Sequence, residues 1–188
     1  TWVILNRGLD LSNEQALIAA ARSTKMEINH PPTGSLEPCT ISIDGETITS
    51  QLRKAEVESA VSLVSQIPGV REVQVEIQRG LAGSRSIVMA GRDIGTVVLP
   101  DADLKLFLCA SLRERTKRRW EQYIREGRTS VFSEIANELE QRDRLDTERY
   151  LSPLRQAEEA IVLDTEGTGV DELVTKILQL VAGGVWNA

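Results

Sequence analysis

Two short stretches of this chain set charged side chains where a phosphate can be held. Gly91-Arg92-Asp93-Ile94-Gly95 puts a guanidinium and a carboxylate between two glycines, directly after the apolar run Ile87-Val88-Met89-Ala90. That run reads as a short buried parallel strand. In open α/β sheets, ligands bind beyond the carboxyl ends of the strands, and an Arg placed there is a ready-made phosphate fork. A solvated Arg–Asp pair in a loop is the other reading of the same residues. Further on, Arg142, Asp146 and Arg149 follow i, i+4, i+7 spacing. One helix face then presents two guanidinium groups with a carboxylate between them. The set either satisfies itself as a weak ion ladder or binds a phosphate and a ribose hydroxyl together. A third group, Arg113, Arg115, Lys117, Arg118 and Arg119, forms a local basic block. Arg115 and Arg119 stand four apart and share a face. Like charges crowded this way cost stability unless an anion sits among them; offset by Glu114 and Glu121, they also read as a solvated face.

Other chemistries have less support. His30 is the only histidine and stands beside Pro31 and Pro32, so it reads as a loop residue rather than a ligand or base. Cys39 and Cys109 are far apart, and neither lies in a CxxC pair. With no partner at ligand spacing, no protein-held zinc or other metal site is expected. The thiols read as reduced, in a cytoplasmic protein. The net charge of −6, from 28 acidic and 22 basic residues, argues against nucleic-acid binding by bulk charge. No apolar run reaches the ~18 residues of a membrane span, and the start has no basic region resembling that of a signal peptide. The sequence opens on Thr1-Trp2 inside an apolar segment, without Met, and is expected to lack its beginning.

The elements that would position these residues alternate. At 188 residues the chain fits one domain with a small insert. A helix closes at Gly8. Ser12 is expected to cap a second, with Gln15 at capping-box spacing and Leu17, Ile18 and Ala21 buried. Met26 and Ile28, then Cys39, Ile41 and Ile43, alternate with polar residues. Asp44-Gly45 is a hairpin signal, with residues 47–49 returning as a strand. Residues 53–67 read as a helix ended by Pro68-Gly69, residues 70–78 as another with a strand as the alternative, and 80–86 as a loop. Strands are expected at 87–90, 104–110 and 160–164. Ser111 caps the basic helix, which ends at Gly127; Thr129 or Ser130 opens the next; Thr168 and Asp171 form a capping box for the last, at 170–181. Strands alternating with helices imply a mostly parallel sheet with right-handed crossovers.

Four stretches taken in order, SAVSLVSQIPGVRE, AGRDIGTVVLPDADLKLFLCAS, SLRERTKRRW and QRDRLDTERYLSPL, resemble the bacterial cytidylate kinase family of P-loop nucleoside monophosphate kinases. The resemblance runs through the whole chain. It implies an α/β fold, a three-layer kinase core with a parallel sheet, incomplete here, and a small antiparallel β insert. Residues 1–24 and 61–188 would form the core, with a lid at about 111–130, and residues 25–60 the monophosphate-binding insert. The implied activity, in pyrimidine nucleotide metabolism, is transfer of the terminal phosphate of ATP to CMP or dCMP, giving CDP or dCDP, with Mg²⁺ accompanying ATP.

Carried over by position, the resemblance implies that Ser62, Arg71 and Asp93 read the cytosine. One carboxylate acceptor and two donors complement that edge, and an unpaired Asp93 would disfavour uracil. Arg92 and Arg149 would hold the substrate phosphate, and Arg142 and Asp146 would contact sugar and phosphate. Arg115, Arg118 and Arg119 would belong to the lid over ATP. No residue is assigned a catalytic role of its own.

The sequence departs from the family in two places. It contains no GxxxxGK[ST] motif, the loop whose amides and lysine cradle the ATP phosphates. The expectation is a member lacking roughly its first 35 to 40 residues, judged by the βαβ unit such a loop occupies, with impaired activity. Ala90 stands where the family usually has Asp. Without the P-loop strand the sheet would keep open edges, so this chain is expected to be unstable or to self-associate, whereas the intact protein would be a monomer. Two other readings stay open: a non-catalytic relative that binds CMP or a partner, and a kinase for another base such as that of UMP. No nucleic acid or membrane partner is expected.

Overall fold

Leu17 has no exposed surface, and the first part of the chain is built around it. The computed structural model describes residues 1–29, 31, 33–34, 39–83 and 86–184. His30 lies outside them. The chain divides into two units, Thr1–Arg85 and Ser86–Ala188, and is mixed α/β. The first unit holds a three-stranded antiparallel sheet and the second a two-stranded parallel one.

In the first unit α1 (Trp2–Asn6) ends ahead of Gly8, whose φ of +60° turns the chain. α2 (Glu14–Ser23) follows, and its cap is not Ser12: the Asn13 side chain accepts from the Ala16 amide at 3.1 Å. Asn is a strong N-cap, and it stands one residue nearer the apolar run. Leu17 of α2 packs with Ile4, Val64 and Val70. β1 (Met26–Asn29) pairs with β2 (Thr40–Ile43), which turns through Asp44-Gly45 into β3 (Glu46–Thr47). Both turn residues have positive φ, +50° and +87°, as the expected two-residue hairpin requires. The returning strand is shorter than expected, because the chain enters a 3₁₀ turn at Thr49–Arg53.

Two helices complete this unit, α3 (Ala55–Val64) and α4 (Pro68–Ala82). Pro68-Gly69, expected to end a helix, instead begins α4. Proline suits the first helical position because its missing N–H would be unpaired there anyway. Gly69 allows close packing: a Cβ there would lie 2.3 Å from the Ile18 Cδ1 of α2. The helix also runs through Gly80 to Ala82, so the first three residues of the expected 80–86 loop are helical.

In the second unit β4 (Leu106–Cys109) and β5 (Ile161–Asp164) pair in parallel, Leu106 opposite Ile161 and Cys109 opposite Asp164. The expected strand at 87–90 is absent: those residues join no ladder, and Val88 is fully exposed. β-branched residues fit a pleated, half-buried surface rather than force one, and among the described residues β4 pairs only with β5. The Gly91–Gly95 stretch runs into a single π-helical turn, Ile94–Val98, with Val98 buried.

α5 (Leu112–Arg125) is capped as expected, the Ser111 hydroxyl accepting from the Glu114 amide at 3.1 Å. α6 (Phe132–Glu148) starts at neither Thr129 nor Ser130; its N-cap is Val131, without a side-chain cap. α5 and α6 pack through Trp120 and Phe132, edge to face at 6.4 Å. α7 (Val170–Ala182) is opened by Gly169 rather than by a Thr168 capping box. Both cysteines are free thiols.

Candidate functional site

The last turns of α6 and the loop after residue 90 meet at one carboxylate. Asp146 is 5% exposed. Its Oδ2 accepts from the Arg92 Nε at 2.8 Å, and the Arg142 Nε stands 4.0 Å from the same oxygen. Its Oδ1 faces the Arg149 Nη1 at 3.7 Å. Burial disfavours an unpaired charge, so the carboxylate needs a cation; here it has three. The Arg142 Nε is buried and donates no hydrogen bond. Among the described residues, the terminal nitrogens of Arg92 have no partner either. The cluster thus combines excess positive charge with donors that lack acceptors, the composition of an anion site.

Local sequence explains the placement. Arg142 and Asp146 lie one turn apart on α6 and Arg149 just beyond its end. Arg149 reaches back because the chain reverses: the Leu154 amide donates to the Asp146 carbonyl at 2.7 Å, and the Arg149 Nε to the Ser152 carbonyl at 2.6 Å. Arg92 is presented by the Gly91 turn, where a Cβ would stand 2.9 Å from the Ile94 Cγ1. Asp93 beside it is buried, and its carbonyl holds the π-helical turn, accepting from the Val97 amide at 2.9 Å and the Val98 amide at 3.2 Å. A solvated Arg92–Asp93 pair is therefore not what forms. A self-contained ladder of Arg142, Asp146 and Arg149 does not form either, because Arg92 makes the shortest contact to the carboxylate.

Three arginines of the basic block on α5, Arg115, Arg118 and Arg119, make defined contacts. The Arg115 Nη1 meets the Asp143 Oδ2 of α6 at 2.7 Å, and its Nε donates to the Ala110 carbonyl at 3.2 Å. The Arg118 Nε donates to Glu114 at 2.8 Å, its Nη1 to the Thr165 hydroxyl at 3.0 Å and its Nη2 to the Thr165 carbonyl. The Thr165 hydroxyl donates in turn to the Cys109 carbonyl at 3.0 Å. Arg118 therefore ties α5 to the carboxyl ends of both parallel strands. Arg119 lies 5.7 Å from the centre of the Tyr123 ring and Arg128 3.8 Å from it, both within cation–π range.

Ser62 and Arg71 belong to the first unit, on α3 and α4. There Arg71 and Gln74, with Trp2, Met26, Ile43 and Ile48, help line a cavity of about 400 Å³. Three contributors escaped sequence reasoning: Asp143, Thr165 and Ser152. Each acts through a partner brought up by folding, and only Ser152-Pro153 carries a local turn signal. Among the described residues, no three His, Cys, Asp or Glu side chains are grouped to hold a metal ion.

A family model described as cytidylate kinase matches residues 1–183. The chain is 40% identical over 181 residues to the cytidylate kinase of Bacillus licheniformis, covering 96% of this chain and 79% of that protein. It is 42% identical to the cytidylate kinase of Geobacillus sp. strain WCH70, with the same coverage. A bifunctional pantoate ligase/cytidylate kinase of Synechococcus sp. strain JA-2-3B'a(2-13) is 43% identical over 180 residues, 96% of this chain and 33% of that protein.

Proposed function

The chain belongs to the cytidylate kinase family, and on that premise we propose that it serves transfer of the terminal phosphate of ATP to CMP or dCMP. The observation that carries this reading is the buried Asp146 carboxylate shared by Arg92, Arg142 and Arg149, with the Arg142 Nε left without an acceptor. A phosphate monoester would take the free donors of the three guanidiniums, leaving Asp146 to hold them in place and to accept from a sugar hydroxyl. Asp93, buried beside Arg92, would accept from the exocyclic amine of cytosine.

The step itself asks little covalent chemistry of the protein. An oxygen of the monophosphate attacks the terminal phosphorus of ATP, the bond to the bridging oxygen breaks, and ADP leaves with that electron pair. Catalysis then rests on alignment and on neutralising spread negative charge. Arg115 and Arg119 on α5 would supply charge to the donor phosphates as the α5–α6 hairpin excludes water. Arg118 would serve mainly as the anchor of that helix. The Mg²⁺ implied by the family would arrive on the ATP phosphates, because the described residues provide no cage for it. The 188 residues contain no GxxxxGK[ST] loop, so the phosphate cradle is not among the groups they contribute.

The test pairs calorimetric titration of CMP, dCMP and UMP with a coupled ATP assay. It is run on these 188 residues and on a form carrying a strand–GxxxxGK[ST]–helix segment ahead of Thr1. CMP and dCMP should bind both forms, UMP should bind far more weakly, and transfer should rise sharply in the extended form. Failure of either form to bind CMP overturns the reading. CMP binding without transfer in the extended form establishes instead a non-catalytic nucleotide binder.

A further inference from the structure

Arg149 stands beyond the last turn of α6, yet its side chain is only 7% exposed. Its distance to Asp146, 3.7 Å, is an ion pair without hydrogen-bond contact. The bond that fixes its orientation is the one from its Nε to the Ser152 carbonyl, at 2.6 Å. That carbonyl is aimed by an unusual backbone: Ser152 has a φ of +50°, in the left-handed region. L-residues other than glycine, asparagine and aspartate visit it rarely. Pro153 follows, and the residue before a proline is pushed towards the extended region instead. The surrounding chain must therefore enforce this conformation. It is closed by the Leu154 amide donating to the Asp146 carbonyl at 2.7 Å, so the same residue receives both ends of the reversal.

Outliers of this kind gather where a site needs a fixed geometry. A guanidinium has two edges that can meet a phosphate bidentately, one through Nε and one through both terminal nitrogens. With Nε given to Ser152, only the second edge stays available, and it faces the oxygen side of Asp146.

We propose that Ser152 is a positioning residue: its left-handed backbone aims a carbonyl that selects which edge of Arg149 meets the monophosphate. The inference rests on the reading of Arg149 as a phosphate ligand. It concerns the backbone of Ser152 and not its hydroxyl, so substitutions should sort by their tolerance of positive φ.

The experiment measures CMP affinity by calorimetry and the melting temperature for Ser152→Gly, Ser152→Asn, Ser152→Ala and Ser152→Val, with Arg149→Ala as reference. Gly and Asn keep positive φ accessible and should hold the dissociation constant within about twofold of the parent. Val, β-branched and poorly tolerated there, should raise it on the order of tenfold, close to Arg149→Ala. Ala should fall between. Combining Ser152→Val with Arg149→Ala should add nothing, because both act on one contact. Equal affinities across the Ser152 series, with Arg149→Ala still impaired, overturn the proposal alone. An unimpaired Arg149→Ala overturns the reading of Arg149 and the proposal with it. A fall in melting temperature that tracks the series without any change in CMP affinity assigns Ser152 a structural role and rejects the proposal.

Discussion

Arg115 of α5 and Asp143 of α6 are joined at 2.7 Å, and the second anchor of Arg115 is the Ala110 carbonyl at the end of β4. Arg115 is thus fixed to the helix that carries Arg142 and Asp146. Both side chains are about one-third exposed, so the pair adds little to stability; exposed pairs contribute up to about 1 kcal/mol.

Asp143→Ala should therefore leave the melting temperature nearly unchanged. With Arg115 on the donor phosphates as proposed, its effect should fall on the donor nucleotide, since the freed guanidinium must be ordered again on binding. The KM for ATP should rise several-fold in an extended, active form, while calorimetric CMP affinity stays within about twofold of the parent. A parallel loss of CMP affinity would show that Asp143 supports the monophosphate site directly.

Asp146→Ala removes the carboxylate that Arg92, Arg142 and Arg149 share. Breaking a buried ion pair by deleting one partner is costly because charge is left uncompensated. Arg92 is nearly half exposed, so a discounted cost of about 2 kcal/mol is expected. For a chain of this size that lowers the melting temperature by about 4–8 °C. Millimolar inorganic phosphate should recover more of that loss in Asp146→Ala than it adds to the parent, as thermal melts with and without phosphate would reveal.

Glu159 accepts from the Lys105 Nζ at 3.0 Å, and the Lys105 side chain is buried. Its own backbone amide first, and Lys105 second, hold the Glu159 carboxyl below its usual value. A group with a lowered folded-state pKa stabilises the fold above its unfolded value, about 4.3 for Glu, and loses that contribution as the pH falls through the folded value. Glu159→Gln should therefore melt below the parent at about pH 6 and together with it at about pH 3. A gap that persists at the acid end would trace the effect to packing instead of charge.

Much of this was legible because it is local. Asp44-Gly45 announces its hairpin through the positive φ both residues accept, and Ser111 its helix through a cap three residues from Glu114. The spacing of Arg142, Asp146 and Arg149 placed two cations and an anion together, because helical periodicity is read directly from the sequence. It did not reveal Arg92 as the nearest partner of Asp146, 54 residues away. The run at 87–90 misled for the complementary reason: its composition suits a strand, but a strand exists only when another backbone lies alongside. Pro68-Gly69 misled because proline both ends one helix and begins the next, and spacing alone does not tell which.

The arithmetic of charge around Asp146 sets a threshold for what the site accepts. Three guanidiniums less one carboxylate leave two positive charges to be matched. A phosphate monoester carries about −1.5 to −2 at neutral pH, with its second ionisation near pH 6. Chloride, a carboxylate or a phosphodiester brings one charge and leaves half of the surplus uncovered. Holding the substrate phosphate as proposed, the cluster would make Asp146 a valence filter, favouring a terminal phosphate monoester over the same group once it is esterified twice.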